Sequence, residues 1–450
     1  MKIDEALTAG LTEKLFPSKY HLIPNLNDLY ELEIAFYENQ ILSDDELIRN
    51  SAYFAGIGSK LTRHFLMCTG ESLKLPGHSS SRLKSFFEKN IFRTGYATHG
   101  LFPYRGKFHP QMVKGIMNIM GLKPGDTVLD PMMGSGTVLI EASIMGIKSI
   151  GIDKSPFCRF MTQTKIDVLS MSLKRARNAL SNYEEVFNYF SKNIDKKHPR
   201  RSRNPPSQNV ISIMEPASEY ATREDRHLLT KREKETSDTY NFLLLAYLDS
   251  VGYSERSRRN DPLLQFKAII ERYLFVADKF QKFLNGAEGE LAPAKAIESD
   301  ARDLPLEDEA VDGILFSPPY SFAIDYLKND AFHLNYLGVE TENLRQAMVG
   351  LRGEKFSEKF QIYKEDMEKI ISECSRVLRP KKLCTIIIGT NNNQLGKVLG
   401  ISPEKVQGLH EILIQIGQKH KFKLIKMLSR PIVGISNTMR LEYIVMLQRN

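Results

Sequence analysis

The sequence predicts an α/β chain in which seven strands form one mostly parallel sheet, with a helical N-terminal extension before it and a helical, basic insert within it. Three observations lead there. Thr127–Asp130 (TVLD) reads as a strand; a glycine turn, the helix TVLIEASIMG and a second strand SIGID follow, and together they make a βαβ unit. Five more apolar segments, AKAIESD, VDGILFS, LCTIIIGT, FKLIKMLS and EYIVMLQ, resume the alternation beyond residue 288, with helical patterns such as EDMEKIISECSRVL between them. From Ser170 to Gly286 the alternation stops and the periodicity is helical.

In chain order, residues 1–95 mix short apolar runs (LYELEIAFY, ELIRNSAYFAGIG, RHFLMC) and read as a mostly helical accessory region. Residues 96–170 begin with the aromatic, basic, turn-rich THGLFPYRGKFHP. A helix follows, with Met112, Val113, Ile116, Ile119 and Met120 on one face. It ends at Gly121, and Pro124 with Gly125 turns the chain into TVLD. Residues 171–287 are the insert. Lys192 to Arg203 holds Lys192, Lys196, Lys197, Arg200, Arg201 and Arg203 against Asp195 alone, and a solvated loop is the default reading of such a run. After it, NFLLLAYLDSVGY and PLLQFKAIIERYLFVADKFQKFLNG read as amphipathic helices, separated by a turn with Arg256, Arg258 and Arg259. Residues 288–450 supply the remaining strands, the last of them expected to run antiparallel.

Composition bounds the class. At 450 residues the chain can bury a core without disulfide or metal staples, and 42% apolar with 26% charged residues excludes fibrous and wholly disordered readings. Lys and Arg number 62 against 54 Asp and Glu, a net charge of +8 that permits a polyanionic partner. No apolar run reaches the ~18 residues of a membrane span, and the N-terminus lacks a leader pattern, so a cytoplasmic protein without a membrane partner is expected. Cys68, Cys158, Cys374 and Cys384 form no CxxC pair, which suggests a reducing compartment and offers no zinc site or other metal.

DPMMGSGT, Asp130 to Thr137, sits where a strand hands over to a helix. Gly134 and Gly136 let a ligand approach the main chain, and the helix start offers free N–H groups. The dinucleotide pattern GxGxxG fails at Leu139, and no GK[ST] follows. Asp153 ends the next strand, 23 residues after Asp130, the separation at which a carboxylate accepts ribose hydroxyls. Asp300, with Asp303 as its competitor, follows the third strand and is placed to accept an exocyclic amine of adenine. An adenosine ligand without a phosphate chain is the expectation.

FSPPY follows the apolar strand VDGIL. Pro318 and Pro319 remove two N–H donors, so the turn is a rigid array of acceptors. An exocyclic NH2 of a nucleobase is a poor nucleophile because its lone pair is delocalised into the ring. If Ser317 Oγ and the Pro318 carbonyl each take one amino hydrogen, the nitrogen moves towards tetrahedral geometry and its lone pair is aimed at an electrophile held opposite. Tyr320 supplies a face on which an extruded base can stack.

DPMMGSGT followed downstream by SPPY resembles the S-adenosylmethionine-dependent amino-methyltransferases of DNA, and Ser in first place resembles the cytosine-N4 branch more than the Asp-first adenine-N6 pattern. The resemblance covers roughly residues 96–170 and 288–450. It implies a Rossmann-like methyltransferase domain that binds S-adenosylmethionine through Asp130, Pro131, Gly134, Ser135, Gly136, Thr137, Asp153 and Asp300. It also implies that GKFHP, including His109, lies near the methionine end, and that Ser317, Pro318, Pro319 and Tyr320 hold the target amine. The expected function is site-specific methylation of cytosine N4 in double-stranded DNA by direct in-line displacement, in a restriction-modification setting with a cognate restriction endonuclease.

Two departures from the family pattern stand out. Met132 occupies a position where an aromatic is frequent, and the insert falls between the second and third strands. The insert is read either as a target-recognition region, with Lys196, Lys197, Arg200, Arg201, Arg203, Arg256, Arg258 and Arg259 on phosphates, or as a solvated loop with packing helices. Carbon-5 methylation needs a thiolate, commonly preceded by Pro, whereas Met67, Phe157, Glu373 and Leu383 precede the cysteines. Rival readings are adenine N6 in DNA, guanine N2 in transfer RNA, and a non-catalytic nucleic-acid-binding protein on the same fold. Asp325, Tyr326, Asp330 and His333 read equally as pocket or as ordinary helix, Arg352 between two glycines as a loop over the substrate, and Asn391 to Asn393 as a turn or a pocket edge.

Overall fold

The computed structural model describes all residues except 1–4, 25, 27, 70–93, 105, 195–228, 258–260, 287–289, 320–324 and 433–440. The N-terminal extension contains α1 (Glu5–Leu15), β1 (Tyr20–Leu22), α2 (Leu29–Ile41), α3 (Asp44–Asn50), β2 (Phe54–Ile57), β3 (Lys60–Leu61) and α4 (Arg63–Cys68). Ser43 and Glu46 close a capping box on α3, and the Thr62 hydroxyl accepts the Phe65 N–H to start α4. The sequence pattern predicts a mostly helical region here. A three-stranded antiparallel sheet, β1-β2-β3, lies among them, and strands of two to four residues are too short to show a period.

This extension is joined to the rest of the chain through a buried carboxylate. Glu38 of α2 accepts the N–H groups of Ala52 (2.8 Å) and Tyr53 (3.2 Å) and the Asn118 amide (2.6 Å) on α5 (Pro110–Ile119). Gly115 permits the approach, since a Cβ there would lie 2.6 Å from Ile34 Cγ2. The apolar face expected for α5 is buried apart from the half-buried Ile119, and so are Gln111, Lys114 and Asn118, because the extension covers the side that the sequence pattern left polar.

The central unit runs β4 (Thr127–Asp130), α6 (Thr137–Ile144), β5 (Lys148–Asp153) and α7 (Pro156–Val168). The insert then contributes α8 (Lys174–Ser181), α9 (Tyr183–Ile194), α10 (Lys231–Ser257) and α11 (Pro262–Gly286). The long pair α10 and α11 shares one core with α7: Phe242, Leu245, Phe266, Ile270 and Tyr273 lie with Phe157 and Met161. Asp249 is buried beneath it, accepting from Arg272 (2.8 Å) and Tyr273 (3.0 Å), whose hydroxyl in turn accepts the Phe102 N–H.

The second half supplies β6 (Ala294–Glu298), β7 (Val311–Phe316), α12 (Tyr326–Tyr336), α13 (Thr341–Ala347), α14 (Phe356–Val377), β8 (Leu378–Gly389), α15 (Asn392–Leu399), α16 (Leu409–Lys419), β9 (Phe422–Pro431) and β10 (Leu441–Arg449). The seven-stranded sheet has the order β6-β5-β4-β7-β8-β10-β9. All pairs from β6 to β8 are parallel, and β10 runs antiparallel to both β8 and β9, as the sequence led one to expect of the last strand. This is the Rossmann-like methyltransferase arrangement. Strand β8 begins at Leu378, directly after α14, earlier than its apolar pattern suggests.

Candidate active site

The topology brings four turns to one edge. Asp130 ends β4, Asp153 ends β5, Asp300 follows β6 and Ser317 follows β7, all at carboxyl ends of parallel strands. The register sets Asp130 opposite Gly151, Asp153 opposite Glu298, and Leu129 opposite Ile314. Neighbouring strands are about 4.8 Å apart, so the turns after β4 and β7 leave the sheet side by side. The chain order also reverses between these two strands, which opens the crevice where ligands bind in such sheets. One cavity results, and Pro131, Gly134, Ser135, Thr137, Asp153, Asp300, Ser317 and Pro319 all line it.

Some expected residues do not reach the wall. Asp130 is buried under the turn it begins, with its Oδ1 accepting the Met132 N–H at 3.0 Å, and burial pushes its carboxyl well above the ordinary value. Gly136, Pro318 and His109 are not wall residues; His109 is the N-cap of α5. Tyr320 lies outside the described residues, as do Lys196, Lys197, Arg200, Arg201, Arg203, Arg258 and Arg259, while the backbone of Arg256 falls in the last turn of α10.

Hydrogen bonds from behind fix the glycine turn. Its main chain bends through left-handed conformations at Gly134 (φ +47°) and Gly136 (φ +75°). Thr162 Oγ1 donates to the Gly134 carbonyl (3.0 Å) and Lys165 Nζ to the Ser135 carbonyl (3.3 Å), both from α7. A Cβ at Gly136 would lie 2.4 Å from Thr162 Cγ2, so glycine is required there by backbone angle and by space.

Asp153 bridges the turn and the start of α7. Its Oδ2 accepts the Gly134 N–H (2.9 Å) and its Oδ1 the Ser155 N–H (2.8 Å). Burial raises its carboxyl to about 6, and these backbone donors limit the rise. Asp300 is held otherwise: Arg302 grips both its oxygens, Nε to Oδ1 at 2.9 Å and Nη2 to Oδ2 at 2.7 Å. Burial works against the charge on Asp300, and the Arg302 hydrogen bonds outweigh it, so the carboxyl sits below its ordinary value.

Other walls were only partly legible. Tyr104 and Lys107 come from the aromatic, basic segment before α5, and Tyr326 and Asp330 from α12. The rings of Tyr104 and Tyr326 lie nearly parallel, 6.4 Å between centroids. Lys107 donates to the carbonyls of Thr94 (3.0 Å) and His99 (2.5 Å), and burial lowers its ammonium to about 7. Met348 and Val349 also face the cavity, from the segment between α13 and α14; no local pattern marks them, because the return of a loop decides their place. Cys158 lies in the wall beside Tyr104, and burial pushes its thiol well above the ordinary value, so it remains protonated at neutral pH. His333 is buried away from the wall, stacked on Phe157.

Residues 101–211, which include the glycine turn and Asp153, match the family described as "RMKL-like, methyltransferase domain". That match and the order of the seven-stranded sheet give the chain a methyltransferase fold. Among its relatives, the type II methyltransferase M.BsoBI of Geobacillus stearothermophilus is 24% identical over 288 residues, 55% of this chain and 54% of the relative. The type II methyltransferase M.MjaII of Methanocaldococcus jannaschii is 31% identical over 169 residues, 36% and 29% of the two chains. A tRNA (guanine(10)-N2)-dimethyltransferase of Methanothermobacter thermautotrophicus is 42% identical over 52 residues, 12% and 16%. The chain thus spans about half the length of the first of these relatives and less of the other two.

The cofactor of this methyltransferase fold is S-adenosylmethionine, and the wall fits it. Three carboxylates, Asp153, Asp300 and Asp330, line the cavity together with apolar side chains that include Met132, Met133 and Val349. Carboxylates match the hydroxyl and amine donors of a nucleoside and repel a phosphate chain. Among the described residues no cluster of His, Cys, Asp or Glu has the makings of a metal site, and no helix is long and apolar enough to cross a membrane.

Proposed function

We propose that this methyltransferase modifies the exocyclic N4 amine of cytosine in DNA. The observation that carries the reading is that Ser317 and Pro319, on the acceptor turn, share one cavity with the glycine turn, Asp153 and Asp300. When bound, S-adenosylmethionine supplies a methyl group activated by its sulfonium. Asp153 would accept its ribose hydroxyls and Asp300 its adenine amine, while Gly134 to Thr137 offer no side chain larger than that of threonine. On the other side Ser317 Oγ would accept one hydrogen of the target amine, and the Pro318 carbonyl the other once the base displaces the turn enough to reach it from behind the wall, which localises the lone pair. Neither role needs a charged enzyme base, and the protonated Cys158 supplies no nucleophile.

DNA is favoured as substrate by the type II relatives, which also favour a restriction-modification role with a cognate endonuclease. Ser rather than Asp at the head of the turn favours cytosine N4. Guanine N2 in transfer RNA is the second reading, and the short, higher-identity match to a tRNA dimethyltransferase supports it. Incubating the protein and labelled cofactor with DNA and with RNA, then analysing nucleosides by mass spectrometry, separates them. N4-methylcytosine from DNA is the expected product; N2-methylguanosine from RNA establishes the second reading, and N6-methyladenine overturns the choice of base.

A further inference from the structure

We propose that Arg302 is a positioning residue: it locks the Asp300 carboxylate and the loop behind the proline corner into one unit, and so sets the preference for a 6-amino over a 6-oxo purine nucleoside. The inference rests on the reading of Asp300 as the partner of the adenine amine.

Four of the five N–H donors of the Arg302 guanidinium plane have partners drawn from three separate parts of the chain. Nε and one Nη2 hydrogen grip the two oxygens of Asp300 at 2.9 and 2.7 Å. Nη2 also donates to the Ala347 carbonyl at 2.7 Å, and Nη1 donates to Asp366 Oδ1 on α14 at 3.0 Å. The Arg302 N–H itself donates to Asp300 Oδ1 at 3.0 Å. Asp366 is almost fully buried and takes a second arginine, Arg352, on the same oxygen. Two cations and two anions thus close a compact network between the end of β6 and the middle of α14.

Its reach explains its function. Ala347, Met348 and Val349 line the cavity, and Gly350 backs onto Pro319, whose Cβ would lie 3.9 Å from a Cβ at that glycine. The carboxylate for the purine and the support of the acceptor turn therefore hang on one planar side chain. A carboxylate only accepts hydrogen bonds, so a fixed Asp300 favours the amine of adenine and is repelled by the carbonyl of a 6-oxo purine. A loosened Asp300 would swing to the neighbouring ring N1–H that the 6-oxo purine offers, and discrimination would fall. Lysine cannot substitute, because a single ammonium lacks the fork that fixes both oxygens.

The test is calorimetric, on the full chain, with S-adenosylhomocysteine and S-inosylhomocysteine as probes. The wild-type protein is expected to prefer the adenosyl compound at least tenfold. In Arg302→Lys and Arg302→Gln the preference should shrink to within about threefold, chiefly through weaker adenosyl binding. Asp300→Asn should lose the preference likewise, and thermal melts would report any general loss of fold; the affinity ratio is internal to each folded sample. Variants that keep the wild-type ratio, or weaken both compounds equally, would overturn the role of Arg302. A wild-type protein with no preference would instead overturn the reading of Asp300.

Discussion

At the scale of single residues, three side-chain environments make testable statements. On the proposed reading, Ser317→Ala removes one of two acceptors for the target amine while leaving Asp153 and the glycine turn untouched. Turnover is expected to fall about 10- to 100-fold with cofactor affinity within about twofold, measured by steady-state kinetics beside calorimetry. In the proposed role Asp153 accepts both ribose hydroxyls as a carboxylate, and burial raises its carboxyl to about 6. Protons therefore compete with the ligand below that value. Affinity for S-adenosylhomocysteine should fall about tenfold between pH 7 and pH 5, while Asp153→Asn should bind weakly with a flat profile. Gly136→Ala forces a Cβ into Thr162 at a left-handed backbone angle, and a loss of about 3 kcal/mol in denaturant melts is expected. Pairing it with Thr162→Ala should recover part of that loss, because the steric share disappears and the angular share stays.

At the scale of elements, the N-terminal extension and α5 act as one body. Glu38 is fully buried, and three donors from α5 and from the segment before β2 converge on its carboxylate. Glu38→Ala strands two backbone N–H groups and an amide, with an expected cost on the order of 3 kcal/mol in chemical unfolding. Burial raises the Glu38 carboxyl to about 7. A raised carboxyl favours the folded state while protonated, so its contribution fades as pH rises towards 7, and the alanine variant should lose that slope. The lesson for reading helices is specific. The polar residues Gln111, Lys114 and Asn118 gave α5 an amphipathic pattern, yet they are buried, because a second layer of structure covers the side they occupy.

At the scale of the whole molecule, a net charge of +8 bears on nucleic-acid binding only if it is clustered, and the densest cluster is Lys192 to Arg203. Replacing Lys196, Lys197, Arg200, Arg201 and Arg203 by alanine should reduce the slope of log affinity for duplex DNA against log salt by up to about four, with cofactor binding unchanged. An unaltered slope would make the run a solvated loop. Phe190 and Val186 of α9 lie in the core with Phe242 and Tyr247 of α10, so neutralising charges is a cleaner probe than removing the ends of these helices. The sequence alone determined the βαβ unit, the seven strands and their split by an insert, the glycine turn, Asp153 and the acceptor turn, because each is written in neighbouring residues whose backbone preferences act locally. The tertiary structure decided which of these share a cavity: Asp130 and His109 lie off its wall, while Met348, Val349 and Tyr104 lie on it. It also decided that Asp300 is gripped by Arg302, and through it tied to Ala347 and Asp366. Those facts follow from strand order and loop return, which bring distant segments together and leave no trace in local spacing.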